Sequence, residues 1–275
     1  MKNYLFIISI FLIVLSCNKE DAYVEKIFEG NIELNTQFQV DSFGDLGYTD
    51  ITGIIGVGSY PDANNSITNL NALSELRSAS HLLINYNNAL TNISGLCNLK
   101  ILDAQLIINN NPLLSNLNGL ENITFIGGIL EISKNESLIE IDGLSNFSSI
   151  GDGSGNIRIW GNQNLMNLDG LNNLKDGGWV YIYSNPSLEN LAGLSQMKEA
   201  LYINISQNPQ LTNLDGFRRL SKLQYDLDIN NNTSLTDFCG LTKLIKNDPL
   251  TSEEYNVYSN ASNPSQDNIS AGNCK

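Results

Sequence analysis

Hydrophobic positions along this chain repeat one pattern: two apolar residues separated by a single position, then apolar residues at about every third position. Written as a frame this is LxIxxNxxLxxLxGLxxL, and one copy runs Leu106, Ile108, Asn111, Leu114, Leu117, Gly119, Leu120 and Ile123. The leading pair recurs as Leu82 and Ile84, Leu130 and Ile132, Ile157 and Ile159, Val180 and Ile182, Ile203 and Ile205, and Leu227 and Ile229. Side chains switch faces at each residue of a strand, so every pair predicts a short strand with one buried face. The asparagines Asn87, Asn111, Asn135, Asn162, Asn185, Asn208 and Asn232 keep the same register, separated by 24, 24, 27, 23, 23 and 24 residues. A unit of that length cannot bury its apolar face alone and must stack on its own copies. The predicted fold is mainly β, a parallel β-helix or solenoid of about eight 23–24-residue coils with a cap at each end.

A polar residue stacked beside a hydrophobic column needs partners. An amide at the turn offers donor and acceptor to backbone groups of the coils above and below, so the seven asparagines are expected to form a structural ladder. The recurrent Gly95, Gly119, Gly143, Gly170, Gly193, Gly216 and Gly240 are expected to permit a tight corner. Their spacing is not that of a phosphate-binding loop.

The LxIxxNxxL core resembles a leucine-rich repeat. NPLL at Asn111, NPSL at Asn185, NPQL at Asn208 and the GWVYI segment ending at Ile182 resemble the receptor L domain. The resemblance covers residues 51–245 and implies a right-handed β-helix of a kind used as a ligand-binding module. The shared positions are the buried ones, so it speaks for the fold and not for a ligand. A cysteine-poor core and the character of the leader depart from receptor L domains, and a growth-factor role is not carried over.

Met1-Lys2 and the apolar run Tyr4–Leu15 are too short to span a bilayer and read as a signal peptide, residues 1–16. Val14-Leu15-Ser16 ahead of Cys17 resembles the lipobox of a bacterial lipoprotein. That implies lipidation of Cys17, and several acyl chains on one residue anchor a protein stably. Asn18-Lys19-Glu20-Asp21 resembles the Lys-acidic-acidic export signal of Bacteroidota lipoproteins, which implies an outer-membrane protein facing the cell exterior. Residues 17–30 are expected to be a lipidated tether and residues 31–50 an N-terminal cap. In that cap the stretch 36–44 places Phe38, Val40 and Phe43 over the open first coil. The repeats occupy 51–245, and residues 246–275 lose the repeat and close the other end.

With Lys+Arg 15 against Asp+Glu 29 the formal charge is -14, which disfavours nucleic acid and leaves the lipid anchor as the membrane contact. Lipidation of Cys17 leaves Cys97, Cys239 and Cys274. Cys239 lies in the last recognisable unit and Cys274 is penultimate, so a disulfide between them would staple the terminal cap in an oxidising compartment, with Cys97 left over. Their spacing matches no zinc pattern, and neither a metal nor another cofactor is expected. The single His81 falls on an outward strand position.

Residues flanking the buried pairs give the outer face of the sheet. Most coils present residues such as Gln105, Ile107 and Asn109, without aromatics. Three consecutive coils differ: they present Asn156, Arg158, Trp160; Trp179, Tyr181, Tyr183; and Tyr202, Asn204, Ser206. The expected ligand site is this cluster of Trp160, Trp179, Tyr181, Tyr183 and Tyr202, flanked by Arg158 and Asn204, because exposed aromatic patches mark binding surfaces. Trp and Tyr also favour strands for structural reasons. The expected function is a non-catalytic binding or adhesion scaffold for glycan or protein at the cell surface. The alternatives are a glycan-cleaving β-helix enzyme using the paired Asp226 and Asp228, and an envelope spacer without a specific ligand.

Overall fold

The computed structural model describes residues 24–58, 66–151 and 153–275. The expected signal peptide, Cys17 and the start of the tether lie outside them. Strands Asp50–Val57, Ser78–Asn85, Ile101–Asn109, Ile129–Ser133, Asn156–Trp160, Trp179–Tyr183, Tyr202–Ser206, Leu227–Asn230 and Tyr255–Tyr258 stack in that order. All pair in parallel, within a sheet of 13 strands. The predicted pairs fall into two columns across the sheet, Leu82–Leu106–Leu130–Ile157 and Ile84–Ile108–Ile132–Ile159, continued by Val180 and Ile182. All of these side chains are buried, and they belong to one continuous core that runs from Leu34 to Cys274.

The asparagine ladder forms as expected, and all seven side chains are fully buried. Asn111 is typical. Its Nδ2 donates to the carbonyl of Ile84 at 3.0 Å and of Asn109 at 3.2 Å. Its backbone N–H donates to Asn135 Oδ1 at 3.0 Å, so each side chain serves backbone groups of a neighbouring coil. The residue before each ladder asparagine is left-handed: Tyr86, Asn110, Lys134, Gly161, Ser184, Gln207, Asn231 and Ser259 have φ between 52° and 69°. This turn ends the strand and brings the asparagine back toward the core. Only one of those eight residues is glycine, so the bend is imposed by the ladder against ordinary backbone preference.

The recurrent glycines have a different cause from the one expected. Gly95, Gly143, Gly170, Gly193, Gly216 and Gly240 lie in short 3₁₀ turns, for example Ala192–Leu194, and not at left-handed φ. A Cβ at Gly193 would collide with the carbonyl oxygen of Leu168, and one at Gly170 with that of Ile141. Close approach between coils requires them. Gly119 alone of the seven, with φ 111°, has the unusual backbone.

Both caps depart from expectation. The stretch 36–44 is a helix, Gln37–Gly44, started by Thr36 in a capping box with Gln39. Val40 and Phe43 are buried, but Phe38 is 78 % exposed, because the helical period puts it on the opposite side. The expected tether ends in a strand, Ile27–Phe28, and Phe28 packs edge-on against Phe43 and Tyr48. At the other end the repeat does not stop at residue 245. Tyr255 and Val257 continue the two buried columns opposite Leu227 and Ile229. Asn260 then adds a further rung, donating to Ile229 O at 2.9 Å and accepting from Asn232 N at 3.1 Å. The inserted helix Thr242–Asn247 and an aromatic in place of the first aliphatic residue disguised this coil in the sequence. Asn263 Oδ1 accepts from both Asn260 N and Asn260 Nδ2 and ends the ladder.

Cys239 and Cys274 are bonded as expected, with Cα atoms 5.0 Å apart and a sequence separation of 35. Closing such a loop contributes about 4 kcal/mol on the chain-entropy account. Cys97, expected to be left over, is also disulfide-bonded, and no free cysteine remains among the described residues. Its partner lies outside the described residues.

Candidate functional site

Strands Asn156–Trp160, Trp179–Tyr183 and Tyr202–Ser206 share one burial alternation, with inner residues buried and outer residues half-buried. In-register pairing sets the outer residues in three rows: Asn156–Trp179–Tyr202, Arg158–Tyr181–Asn204 and Trp160–Tyr183–Ser206. All seven site residues expected from the sequence therefore meet on one surface. Strand spacing of about 4.8 Å brings their rings into contact.

The rings do not lie flat as a platform. Trp160 and Tyr183 stack with centroids 5.6 Å apart and planes within 6°. Lys134 Nζ sits 4.9 Å from the Trp160 centroid. Trp179 packs on Tyr202 at 5.6 Å and on Tyr225 at 5.4 Å, while Tyr181 packs on Tyr202 at 5.2 Å. Much of the aromatic face area is thus spent on neighbouring rings, and each such pair stabilises the fold by about 0.5 to 1.5 kcal/mol beyond burial. The structural preference for cross-strand aromatics accounts for part of the cluster. Tyr225 was missed because it lies outside the strand frame, in the turn before Leu227.

Polar groups run between the rings. The Tyr202 hydroxyl donates to Asp228 Oδ2. Ser206 Oγ donates to Asn204 Oδ1 at 2.7 Å, and Asn204 Nδ2 donates weakly to the Tyr202 oxygen at 3.4 Å. Burial, reinforced by the bond to Asp228, pushes the Tyr202 hydroxyl well above the usual phenol range. Burial raises Tyr181 and Tyr183 as well, with Arg158 opposing both shifts. These hydroxyls therefore stay neutral donors at physiological pH.

Glu131, Arg158, Trp160, Tyr181 and Tyr183 line a shallow hollow of about 330 Å³. Glu131 is fixed by Ser133 Oγ at 2.8 Å. Among the described residues the ion pairs are Arg218–Asp215 and Lys275–Asp237, so the guanidinium of Arg158 is not consumed by one. The hollow offers a forked donor, an acceptor and phenol hydroxyls beside an indole. A larger hollow, about 730 Å³, lies on the flank formed by Ser137, Ile139, Met166 and Pro186. Glu189 is the only charged group lining it, beside the neutral polar Asn164, Ser187 and Gln210, and no aromatic ring takes part. His81 bonds Ser80 Oγ at 2.9 Å and takes no part in either hollow. Asp237, Cys239 and Cys274 cluster, but the disulfide occupies both sulfurs and Lys275 pairs with Asp237 at 3.1 Å.

No family model matches the chain, and no curated protein matches it either.

Proposed function

We propose that this protein is a non-catalytic binding or adhesion scaffold that holds a glycan or protein ligand on the outer strand face. The observation that carries this reading is the hollow beside Trp160, Tyr181 and Tyr183, where the Arg158 guanidinium forms no ion pair among the described residues. Convergent polar groups at an aromatic concavity are the ordinary form of a recognition site. Asp226 and Asp228 belong to the same open surface, and Asp228 accepts the Tyr202 hydroxyl, which takes one of its oxygens. A parallel β-solenoid of right-handed sense, with about eight leucine-rich-like coils related to receptor L domains, is the scaffold of this proposal.

The proposal includes a lipid anchor at Cys17 in the outer membrane with the repeats facing outward. Labelled fatty acid should be incorporated by the wild-type chain and not by Cys17→Ala, and protease added to intact cells should digest the repeats. A Cys17 thioether and a disulfide through Cys17 exclude each other, so mass mapping of what Cys97 carries in the mature protein also tests the anchor. For binding, the full chain in detergent is screened against glycan arrays and surface-protein panels. Any ligand found is titrated against the Trp179→Ala/Tyr181→Ala variant and against an Asn85→Ala/Asn109→Ala control. Weakening by about 2 kcal/mol or more in the first alone is expected. Equal affinities would move the site elsewhere.

A further inference from the structure

The aromatic rings end in an open lane that the sequence frame hid. The row Trp160–Tyr183–Ser206–Asn230 continues to Tyr258 on the terminal strand. One face of Tyr183 is stacked on Trp160, and the next two residues in its row, Ser206 and Asn230, are too short to cover the other. Tyr258 then rises at the far side, 53 % exposed. Three strand steps of about 4.8 Å separate the two tyrosines, a gap of roughly 14 Å between backbones. A saturated ring fits between two phenol walls at that distance.

The floor is chemically unusual. Asn230 is only 9 % exposed, and the one side-chain hydrogen bond it makes among the described residues is the bond its Oδ1 accepts from Asn231 at 2.7 Å. Its Nδ2 makes no hydrogen bond among the described residues and reaches the surface, which leaves a donor available to a ligand oxygen. Beside it, Asp228 has one oxygen engaged by Tyr202 and the other open, and Asn204 is oriented by Ser206. Asp226 and Glu254 lie two rows farther off, immediately before the strands Leu227–Asn230 and Tyr255–Tyr258, and hydrogen bonds from Thr251 hold Glu254 below the usual carboxylate range. Arg158 lies three strands from Asp228 in its row, about 14 Å away and beyond a physiological Debye length. It does not offset these acids.

We infer that Tyr258 and Asn230 complete the ligand site as a second subsite, and that the ligand is a neutral polysaccharide lying across the strands from the Arg158 hollow to Tyr258. This rests on the binding-scaffold reading above and narrows it. Sugar rings place apolar faces against Tyr183 and Tyr258, and their hydroxyls both donate to Asp228 and accept from Asn230. At the Tyr258 end a uronate, sialate or sulfate group meets the Asp228 carboxylate with no cation beside it and is repelled, since Arg158 stands at the opposite end of the ligand.

The test uses the full chain in detergent and an array of neutral hexose and N-acetylhexosamine oligosaccharides paired with uronate and sulfated counterparts. Neutral chains should bind, and acidic counterparts should bind at least about tenfold more weakly. Tyr258→Ala should weaken neutral binding about tenfold with an unchanged melting temperature, since that ring is half exposed. Equal or tighter binding of the acidic chains would overturn the inference. So would unchanged affinity in Tyr258→Ala while Trp160→Ala/Tyr183→Ala abolishes binding, although the wider face would then keep its role. If neither variant alters binding, the scaffold reading fails with it. Capture of a protein on this face, with no glycan bound, would retain the scaffold and exclude the polysaccharide.

Discussion

The asparagine corner and the outer strand face belong to the same coils, yet they follow opposite rules. At the corner every coil repeats the same residue, the same left-handed turn and the same bonds to its neighbours. On the face, no two coils present the same three residues. A solenoid coil meets its neighbours identically at each joint, so identity there is a requirement of stacking. Outward positions are under no such requirement, and their differences are free to encode recognition. The aromatic cluster mixes the two, because its rings both face outward and stack on one another.

The largest effect is expected at the corner. Asn162→Leu removes the Nδ2 donor that serves Ile132 O at 2.9 Å and Trp160 O at 3.2 Å, of which Trp160 O keeps the Lys134 N–H, and it orphans the Asn135 N–H that Asn162 Oδ1 accepts at 3.1 Å. With about 1 to 3 kcal/mol for each buried group left unsatisfied, a loss of about 3 kcal/mol or more is expected in chemical denaturation. An unchanged midpoint would break the contrast at its stronger end. Gly193→Ala drives a Cβ into Leu168 O and should cost about 2 kcal/mol, as overpacking does. A neutral result would mean that neighbouring coils can part without penalty.

The face should give a smaller and divided response. Trp179→Ala/Tyr181→Ala removes the contacts to Tyr202 and Tyr225 and should lower stability by about 1 to 2 kcal/mol, read as a shifted denaturation midpoint. A loss as large as that of Asn162→Leu would make the cluster a structural element. The smallest effect has the opposite sign. Ser184 is left-handed at φ 55° without being glycine, so Ser184→Gly should stabilise by about 0.5 kcal/mol. A destabilised variant would show that the serine's bond to Gln207 Oε1 at 2.6 Å outweighs backbone relief.

How much of this was legible in the sequence follows the same division. Strand pairs such as Val180 and Ile182, the ladder and the Cys239–Cys274 bond could be read directly, because stacking writes them in a fixed frame. The seven aromatic-site residues could be placed on one face for the same reason, since register carried them there. Their mutual stacking could not, because side-chain direction is not contained in a frame. Nor could Tyr225, which lies off the frame, or the terminal coil, where Asn260 follows Asn232 by 28 residues, outside the 23 to 27 of the other rungs, and an aromatic replaces the first aliphatic residue. Phe38 was misplaced for a simpler reason. Two apolar residues on one side of a short helix leave a third of different phase in water, and the sequence spacing does say so.

Asn263 gives the molecule a property that its length does not suggest. It lies three residues after the last rung and presents its own oxygen where another coil's asparagine would stand. The terminator therefore travels with the final coil and does not depend on how many coils precede it. Every internal joint is the same plug and socket, so excising residues 185–207, one period of 23, removes one of each and leaves matching halves. Size in this architecture is adjustable in whole coils, and the extent of the stacked sheet could be retuned without redesigning any joint.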